Sequence, residues 1–515
     1  MLVKTYGAAV QGIDAIVVTI EVAMTRGLQF AMVGLPDTAV KESHQRVMSA
    51  VKHCGYSWPR MNTVVNLSPA DVRKEGAAYD LPLAIALLVS SEQIAAPQLD
   101  RYMIMGELSL DGSLQPIRGA LPMAIEARKR GFKGIIVPEA NASEAAVVDR
   151  LEVYGARDLV QVAEMLAGIA PIEPTQFDTR AEFARGQSVF DCDFSEVRGQ
   201  EEVKRALEVA CAGGHNILLV GPPGAGKSMM AKRLPTILPP LSLGEALETT
   251  KIHSVAGRLK SGSRLMTRRP FRSPHHSISS VALVGGGQNP TPGEISLAHN
   301  GVLFMDEFPE FSRSVLEVLR QPLEDRHIAI ARARYAVDYP AGFMLVASMN
   351  PCPCGYYNHP TRECTCAPGA VSRYLARISG PLLDRIDIQA EILPVPFDKL
   401  ADLQPGESSA AIRARVTAAR AIQAERYASE PGGLHCNAQM DARHIQRWCR
   451  LGPDATEILR RAMTRYDMSA RAYDRILKVA RTIADLAAEP DITPDHIREA
   501  IGYRNLDRGT WGKTV

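Results

Sequence analysis

Asn216-Ile217-Leu218-Leu219-Val220 runs directly into Gly221-Pro222-Pro223-Gly224-Ala225-Gly226-Lys227-Ser228. A short apolar, β-branched run followed by Gly-x-x-x-x-Gly-Lys-Ser is the phosphate-binding loop pattern. Its glycines let successive backbone N–H groups converge on phosphate oxygens, and the helix that follows points its positive end at the same anion. In that arrangement Lys227 reaches the β- and γ-phosphates of a nucleoside triphosphate and the Ser228 hydroxyl holds Mg²⁺. An ordinary Gly-rich turn is the bland alternative; the buried-type strand just before the loop argues against it. The expected cofactors are ATP and Mg²⁺, with residues 221–228 as their cradle.

A second signature stands downstream. Gly301-Val302-Leu303-Phe304-Met305-Asp306-Glu307-Phe308 is an apolar strand ending in two acids. Asp306 at the strand end can hold Mg²⁺ through water, and Glu307 can polarise the attacking water.

The chain is 515 residues long, 46% apolar and 23% charged, with a formal net charge of +2. Such a length implies three or so domains of an ordinary globular protein. The small net charge excludes a global polyelectrolyte, so any nucleic-acid site is a local patch. The opening residues lack the apolar core of a signal peptide, and the longest apolar run, Leu81 to Val89, is too short to cross a bilayer. A cytoplasmic protein without a membrane partner is expected. Four of the nine cysteines crowd one short loop, a pattern that suggests metal more than disulfides in a reducing compartment.

Residues 1–170 read as a mixed α/β domain, with strands at 15–22, 28–34, 64–68, 103–108 and 134–138 and helices at 38–54, 79–91 and 120–130. The run Val65-Asn66-Leu67-Ser68-Pro69, Lys74-Glu75-Gly76-Ala77-Ala78-Tyr79-Asp80, Gly106-Glu107-Leu108 and Pro116-Ile117-Arg118-Gly119 resembles the proteolytic domain of Lon, a ribosomal S5 domain 2-like fold. The resemblance puts Ala78 where Lon-type proteases carry their Ser nucleophile and Leu121 where they carry their Lys. A methyl group cannot attack a carbonyl and an isobutyl group cannot take a proton, so the domain is expected to lack the dyad. Ser68 and Lys74 lie nearby, with nothing in their spacing to make them a replacement pair.

Residues 171–193 are polar and Pro-containing, consistent with a linker. The ATPase is expected over 194–395, opening on Phe194-Ser195-Glu196-Val197-Arg198-Gly199-Gln200, which resembles the segment that packs on adenine in AAA+ ATPases. An insert from Leu241 to Leu297 carries an acid-free basic run, including Arg268, Arg269 and Arg272; it reads either as a solvated face or as a DNA-contacting loop. Within it His275-His276 is a weak metal signal, a pair without a third ligand. A helix is expected over 312–324, followed by a β-hairpin over 327–339. Arg332 and Arg334 share one face of that hairpin by their period of two, as a phosphate tracker or a solvated strand face. Asn350, at the end of the next apolar strand, fits the AAA+ sensor 1 role. Cys352, Cys354, Cys364 and Cys366 form C-x-C-x9-C-x-C, which can close a tetrahedral Zn²⁺ site, with His359 a substitute ligand and reduced or redox-active thiols as alternatives. Leu382-Leu383-Asp384-Arg385-Ile386-Asp387 resembles the AAA+ stretch whose arginine reaches the γ-phosphate of a neighbouring subunit. That resemblance implies a closed ring; pairing of Arg385 with Asp384 or Asp387 is the alternative. Residues 396–515 read as a helical lid, with Arg471 matching sensor 2 and Arg475 one turn later in reserve.

Together these motifs, with Arg269-Pro270-Phe271-Arg272-Ser273-Pro274-His275-His276 and Pro292-Gly293-Glu294-Ile295-Ser296-Leu297-Ala298-His299, resemble the magnesium-chelatase-like AAA+ family, and within it the ComM/YifB proteins. The resemblance covers nearly the whole chain. It implies an α/β fold with a Lon-like front domain, a three-layer AAA+ core bearing a pre-sensor-1 hairpin, and a helical lid. The activity implied is that of a ring-forming DNA motor, a hexamer by expectation, driving branch migration during recombination of incoming DNA in natural transformation. A chelatase-like ATPase that remodels a protein partner is the rival, and a Lon-like protease is the third reading, opposed by Ala78 and Leu121.

Overall fold

The computed structural model describes residues 2–187, 190–259, 264–287, 290–332, 335–395, 406–430 and 433–504; the side chains of residues 331–336 are outside that description. The chain divides into two compact units. A front unit comprises Met1–Gly186, Leu243–Thr267 and Pro290–Pro292, and a phosphate-loop unit comprises Gln187–Ser242, Arg268–Asn289 and Gly293–Val515.

The front unit is built on a seven-stranded sheet in the order Phe30–Val33, Asn62–Ser68, Asp14–Thr25, Leu2–Gln11, Tyr102–Ile104, Gly134–Pro138, Glu152–Ala156. Its first half is largely antiparallel and its second half parallel. Patterning follows from this: Asp14–Thr25 alternates buried and partly exposed residues, whereas Gly134–Pro138 is buried throughout, as a covered parallel strand must be. The helix Asp80–Ser90 is apolar on every side and buries Leu81, Leu83, Ile85, Leu87 and Leu88 against Leu2–Gln11 and Asp14–Thr25. Helix Leu243–Val255, from the stretch following the phosphate loop, packs on helix Ala120–Lys129 of this unit. Lys251 there pairs with Asp14 at 2.5 Å, and Ser254 donates to the buried Glu144 carboxylate.

The landmarks that resemble Lon come together at the start of the apolar helix. The Gly106 N–H donates to the Ala78 carbonyl at 2.8 Å and the Leu81 N–H to the Gly106 carbonyl at 3.0 Å. Leu121 is fully buried at the start of its own helix. Lys74 ends on the Pro69 carbonyl, and Ser68 pairs with Thr19 within the sheet. Two strands, Leu2–Gln11 and Glu152–Ala156, and a helix, Thr179–Gly186, occupy stretches where the sequence pattern predicts none.

The phosphate-loop unit holds a five-stranded parallel sheet in the order Phe271–Arg272, Val302–Met305, Met344–Met349, Ile217–Val220, Ile388–Glu391. The phosphate-loop strand thus lies between the strand leading to Asn350 and the last core strand. Ile217, Leu218, Leu219, Val346 and Ile388 are sealed from solvent, as a sheet covered on both faces requires. Where one helix is expected over 312–324, the chain forms two, Arg313–Val318 and Arg320–Asp325. Pro322, which has no N–H to give to the preceding turn, sits in the second. The hairpin His327–Arg332 with Tyr335–Pro340 is present and antiparallel, Arg332 opposite Tyr335. One face buries Ile328, Ile330, Val337 and Tyr339 while Asp338 is exposed.

The C-terminal helices Ser409–Tyr427, Ala442–Trp448, Pro453–Tyr466, Ala470–Leu486 and Pro494–Gly502 complete the unit. Ser409–Tyr427 and Ala470–Leu486 pack on Glu201–Gly213, the helix before the phosphate-loop strand. A buried polar knot joins them to the sheet: His215 bonds Asp387 at 3.0 Å and Thr482 at 2.8 Å, and Arg475 pairs with Asp387 at 3.0 Å. Arg475 and His215 hold the Asp387 carboxyl below the usual carboxylate range against the burial that raises it. Among the described residues no helix is long and apolar enough to cross a membrane.

Candidate functional site: a nucleotide cleft at the strand ends

The phosphate loop leaves its strand at Gly221, where a Cβ would lie 2.6 Å from the Ile392 carbonyl oxygen. Gly224 and Gly226 have φ of 79° and 90°, values that L side chains rarely adopt. Helix Lys227–Ile237 starts at the loop's last two residues, so its unpaired N–H groups open toward the loop. Lys227 Nζ donates to the Gly221 carbonyl at 2.6 Å, the Pro222 carbonyl at 3.0 Å and Asn350 Oδ1 at 3.0 Å. Burial lowers the Lys227 pKa while Asp306 and Glu307 pull it back up. Its ammonium is therefore held by weak dipolar acceptors at the place where a phosphate would take all its donors.

Ser228 Oγ donates to Asp306 Oδ2 at 2.6 Å, and Ser348 on the neighbouring strand donates to Asp306 Oδ1. Two hard oxygens, a hydroxyl and a carboxylate, thus meet at the strand ends, the donor set Mg²⁺ accepts alongside water and phosphate. Glu307 adopts φ 53° and its N–H donates to Asp306 Oδ1 at 3.0 Å. This turn swings the Glu307 side chain away from the sheet and into solvent, where its carboxylate meets His276 Nδ1 at 3.2 Å. His276 stacks on His275 with centroids 4.1 Å apart. Nothing in the sequence pattern links His276 to Glu307, 31 positions apart; the adjacent histidines carry no signal there beyond the weak metal reading.

Three family models match in succession: "Subunit ChlI of Mg-chelatase" over residues 20–141, "Magnesium chelatase, subunit ChlI" over 193–400, and "Magnesium chelatase, subunit ChlI C-terminal" over 406–504. The chain is 46% identical to YifB of Escherichia coli (strain K12), covering 97% of this chain and 96% of that one. It is 42% identical to the competence protein ComM of Haemophilus influenzae, covering 98% of each. The chain belongs to the ComM/YifB family of magnesium-chelatase-like AAA+ proteins. A weaker likeness, 27% identity over 215 residues, links 39% of the chain to 24% of the DNA replication licensing factor mcm7 of Schizosaccharomyces pombe. The family is one of AAA+ ATPases, for which ATP and Mg²⁺ are the working cofactors, and the cleft just described has the side chains to hold both.

Elsewhere in this ComM/YifB-family chain the arginines divide sharply. Arg385 pairs with Glu324 at 2.6 Å and donates to the Pro381 carbonyl at 2.6 Å, with only 10% of its side chain exposed. Neither sequence neighbour takes it: Asp384 is held by Arg471 at 3.2 Å and Asp387 by Arg475. Arg471 is largely exposed, and its helix Ala470–Leu486 is capped by Ser469. Arg475, by contrast, is committed to the buried knot. In the basic run, Arg269 donates to the Pro239 carbonyl at 2.6 Å and the Asn300 carbonyl at 2.8 Å, and Arg272 grips Glu294 through two bonds of 2.6 and 2.7 Å. The Arg268 guanidinium lies over the Phe190 ring. Arg269 and Arg272, expected as DNA contacts, make these bonds because their forks find carbonyls and a carboxylate within the fold. Of the hairpin pair, Arg334 and the Arg332 side chain lie outside the described residues.

Directly after Asn350 the chain brings four sulfurs together. Cys352, Cys354, Cys364 and Cys366 have Sγ atoms all within 4.8 Å of one another. Cys354 Sγ accepts the Tyr356 and Thr365 N–H groups; burial raises its pKa, but those N–H groups and the neighbouring thiols bring it down to about 6. His359 stands outside this cluster: its Nδ1 accepts the Thr361 and Arg362 N–H groups at 3.2 and 3.0 Å, closing a turn.

Proposed function

We propose that this protein is an ATP-driven DNA motor that works as a closed, hexameric ring in the cytoplasm and drives branch migration of recombination intermediates, as in natural transformation. The observation that carries the proposal is the position of the hairpin. It is inserted between Val302–Met305, which ends at Asp306 and Glu307, and Met344–Met349, which ends at Asn350. Any shift of those strand ends on hydrolysis would be passed to this two-stranded hairpin. Arg332 and Arg334 on that hairpin are the proposed trackers of the polynucleotide backbone. The names of the relatives, a competence protein and a DNA replication licensing factor, support DNA as the partner.

ATP would be the substrate, its terminal anhydride cut by water to give ADP and phosphate, and Mg²⁺ would neutralise charge on the phosphate oxygens. Lys227 and the loop N–H groups neutralise its charge, while Ser228 and Asp306 would hold the metal. Glu307, once released by His276, accepts the proton of the attacking water, and Asn350 orients that water. Arg385 acts across a subunit boundary and must leave Glu324 to do so; Arg471 reads the nucleotide from the C-terminal helices. The four cysteines hold structural Zn²⁺.

The test is ATP hydrolysis with and without single-stranded and forked DNA, coupled to migration of a synthetic four-way junction. Junctions that move only with ATP support the motor. ATP turnover that DNA leaves unchanged, with junctions intact, favours the second reading, a chelatase-like ATPase remodelling a protein partner, which rests on the family models matched above.

A further inference from the structure

The cysteine loop touches the phosphate loop. A Cβ on Gly355, which follows Cys354, would lie 2.6 Å from Pro223 Cδ, so the two loops are in van der Waals contact. Between them opens a cavity of about 590 Å³. One wall is Glu196, Val197 and Gln200, from the segment that resembles the adenine-packing stretch of AAA+ proteins. A second part of the lining is Tyr356, His359 and Arg362, all from within the span between the cysteine pairs.

That second wall is pre-arranged. The Arg362 guanidinium lies over the Tyr356 ring at 5.1 Å and donates to its hydroxyl at 2.8 Å. The Tyr356 and His359 rings meet edge-on at 5.5 Å. The backbone of this wall is also bonded to the sulfurs, the Tyr356 N–H to Cys354 and the Tyr357 N–H to Cys352. The sulfurs themselves stand at 3.3, 3.5 and 3.8 Å across the Cys352–Cys354, Cys354–Cys364 and Cys352–Cys364 pairs. A tetrahedron with Zn–S bonds of about 2.3 Å has edges of about 3.8 Å, so the cluster is already near the size a zinc ion needs. Such a short loop, with no regular secondary structure of its own, has little else to hold its shape.

We infer that the four-cysteine cluster binds zinc and that this metal shapes the base-binding wall of the nucleotide pocket, so that loss of the metal weakens recognition of the nucleoside while sparing recognition of the phosphates. The inference rests on the nucleotide reading of the cleft and on zinc at the cysteines. Beyond both, it makes the metal site a determinant of ATP affinity, where a purely structural ion would only stabilise a loop.

The experiment uses the full chain, purified without chelator. Zinc is counted by elemental analysis, and affinities for ATP and for inorganic tripolyphosphate are measured by displacement of a ribose-labelled fluorescent ADP in excess Mg²⁺. A zinc-selective chelator that spares Mg²⁺ then strips the metal. One zinc per chain is expected, with about a tenfold loss of ATP affinity on stripping, the scale of one lost aromatic contact with its packing, and tripolyphosphate affinity unchanged. Because Cys364→Ser with Cys366→Ser can fail to fold, Tyr356→Ala is the companion variant: it should keep its zinc and lose ATP affinity alone. A chain that takes up no zinc, or one whose ATP affinity survives stripping, overturns the inference while leaving the nucleotide site standing. So does a parallel fall of ATP and tripolyphosphate. If tripolyphosphate fails to bind even the zinc-loaded chain, the nucleotide reading falls and takes the inference with it.

Discussion

Each unit of this molecule starts a helix where a catalytic group could stand, and the two starts are filled in opposite ways. In the front unit Ala78 and Tyr79 lead into Asp80–Ser90, a helix sealed against the sheet. Asp80 there is turned inward and gripped by Arg46 at 2.7 and 2.9 Å. In the phosphate-loop unit Lys227 and Ser228 open their helix and bond instead to Asn350 and Asp306, on the ends of two other strands. The first arrangement consumes its polar groups in packing. The second gathers polar groups from separate strands around a cleft, held by contacts that a ligand can replace. A backbone landmark by itself therefore says little about chemistry here; what matters is whether the polar atoms at that landmark are spent.

The largest effect should come from Glu307→Gln. It removes the carboxylate that the left-handed turn at Glu307 projects from the strand end, so ATP should stay bound while turnover falls about 10⁴-fold, the upper range for a lost general base. Phosphate release against nucleotide retention on the purified protein checks it, and near-normal turnover would place the base elsewhere. Arg385→Ala should cost about 10³-fold in hydrolysis with assembly intact, if the arginine acts across subunits. The pairing seen here sharpens that test: Glu324→Gln, which frees Arg385, should maintain or raise turnover. Should Glu324→Gln lower turnover as much as Arg385→Ala, the pair is structural and the finger assignment fails.

The front unit can be challenged by restoring what it lacks. Ala78→Ser with Leu121→Lys puts a hydroxyl and an amine at the two positions, yet Leu121 is fully enclosed. An ammonium there must be desolvated, which should cost about 4 kcal/mol of stability at neutral pH. Denaturant titration should show the loss, and casein should remain intact with ATP. Casein cleavage would mean that only the two side chains separated this domain from a protease.

What is legible in the sequence follows the same division. The phosphate loop, the Asp306–Glu307 strand and the cysteine spacing declare themselves, because their chemistry demands particular side chains at short intervals. Strand Leu2–Gln11 escapes because Gly7, Ala8 and Ala9 are too small to mark a buried face, although Ala8 and Ala9 are sealed. The partners of Arg385, Arg272 and Glu307 escape for a different reason. Glu324, Glu294 and His276 are 61, 22 and 31 positions away along the chain, and only folding brings them within bonding distance. A basic run with no acids in it reads as solvent-facing or DNA-facing because its acids are elsewhere.

The smallest effect tests the comparison at the level of single protons. Asp80 and Asp387 are both fully buried and both meet an arginine, yet their carboxyls move in opposite directions. Burial drives Asp80 up to about 6 because Arg46 and one long N–H bond from Leu108 do not make up for lost water. Asp387, with Arg475, His215 and Lys478 around it, is driven down. The signs then differ. Asp80 titrates higher folded than unfolded, so its contribution is most favourable below about pH 4 and is lost as pH rises through about 6, a change of about 3 kcal/mol. Asp387 does the reverse, contributing above the ordinary carboxylate range and losing that contribution as pH falls below it. The parent protein should therefore gain stability relative to Asp80→Asn as pH falls from about 7 to about 4.5. Denaturant midpoints across that range measure it, and a gap that stays constant would mean that Arg46 keeps Asp80 charged after all, leaving the two buried aspartates alike.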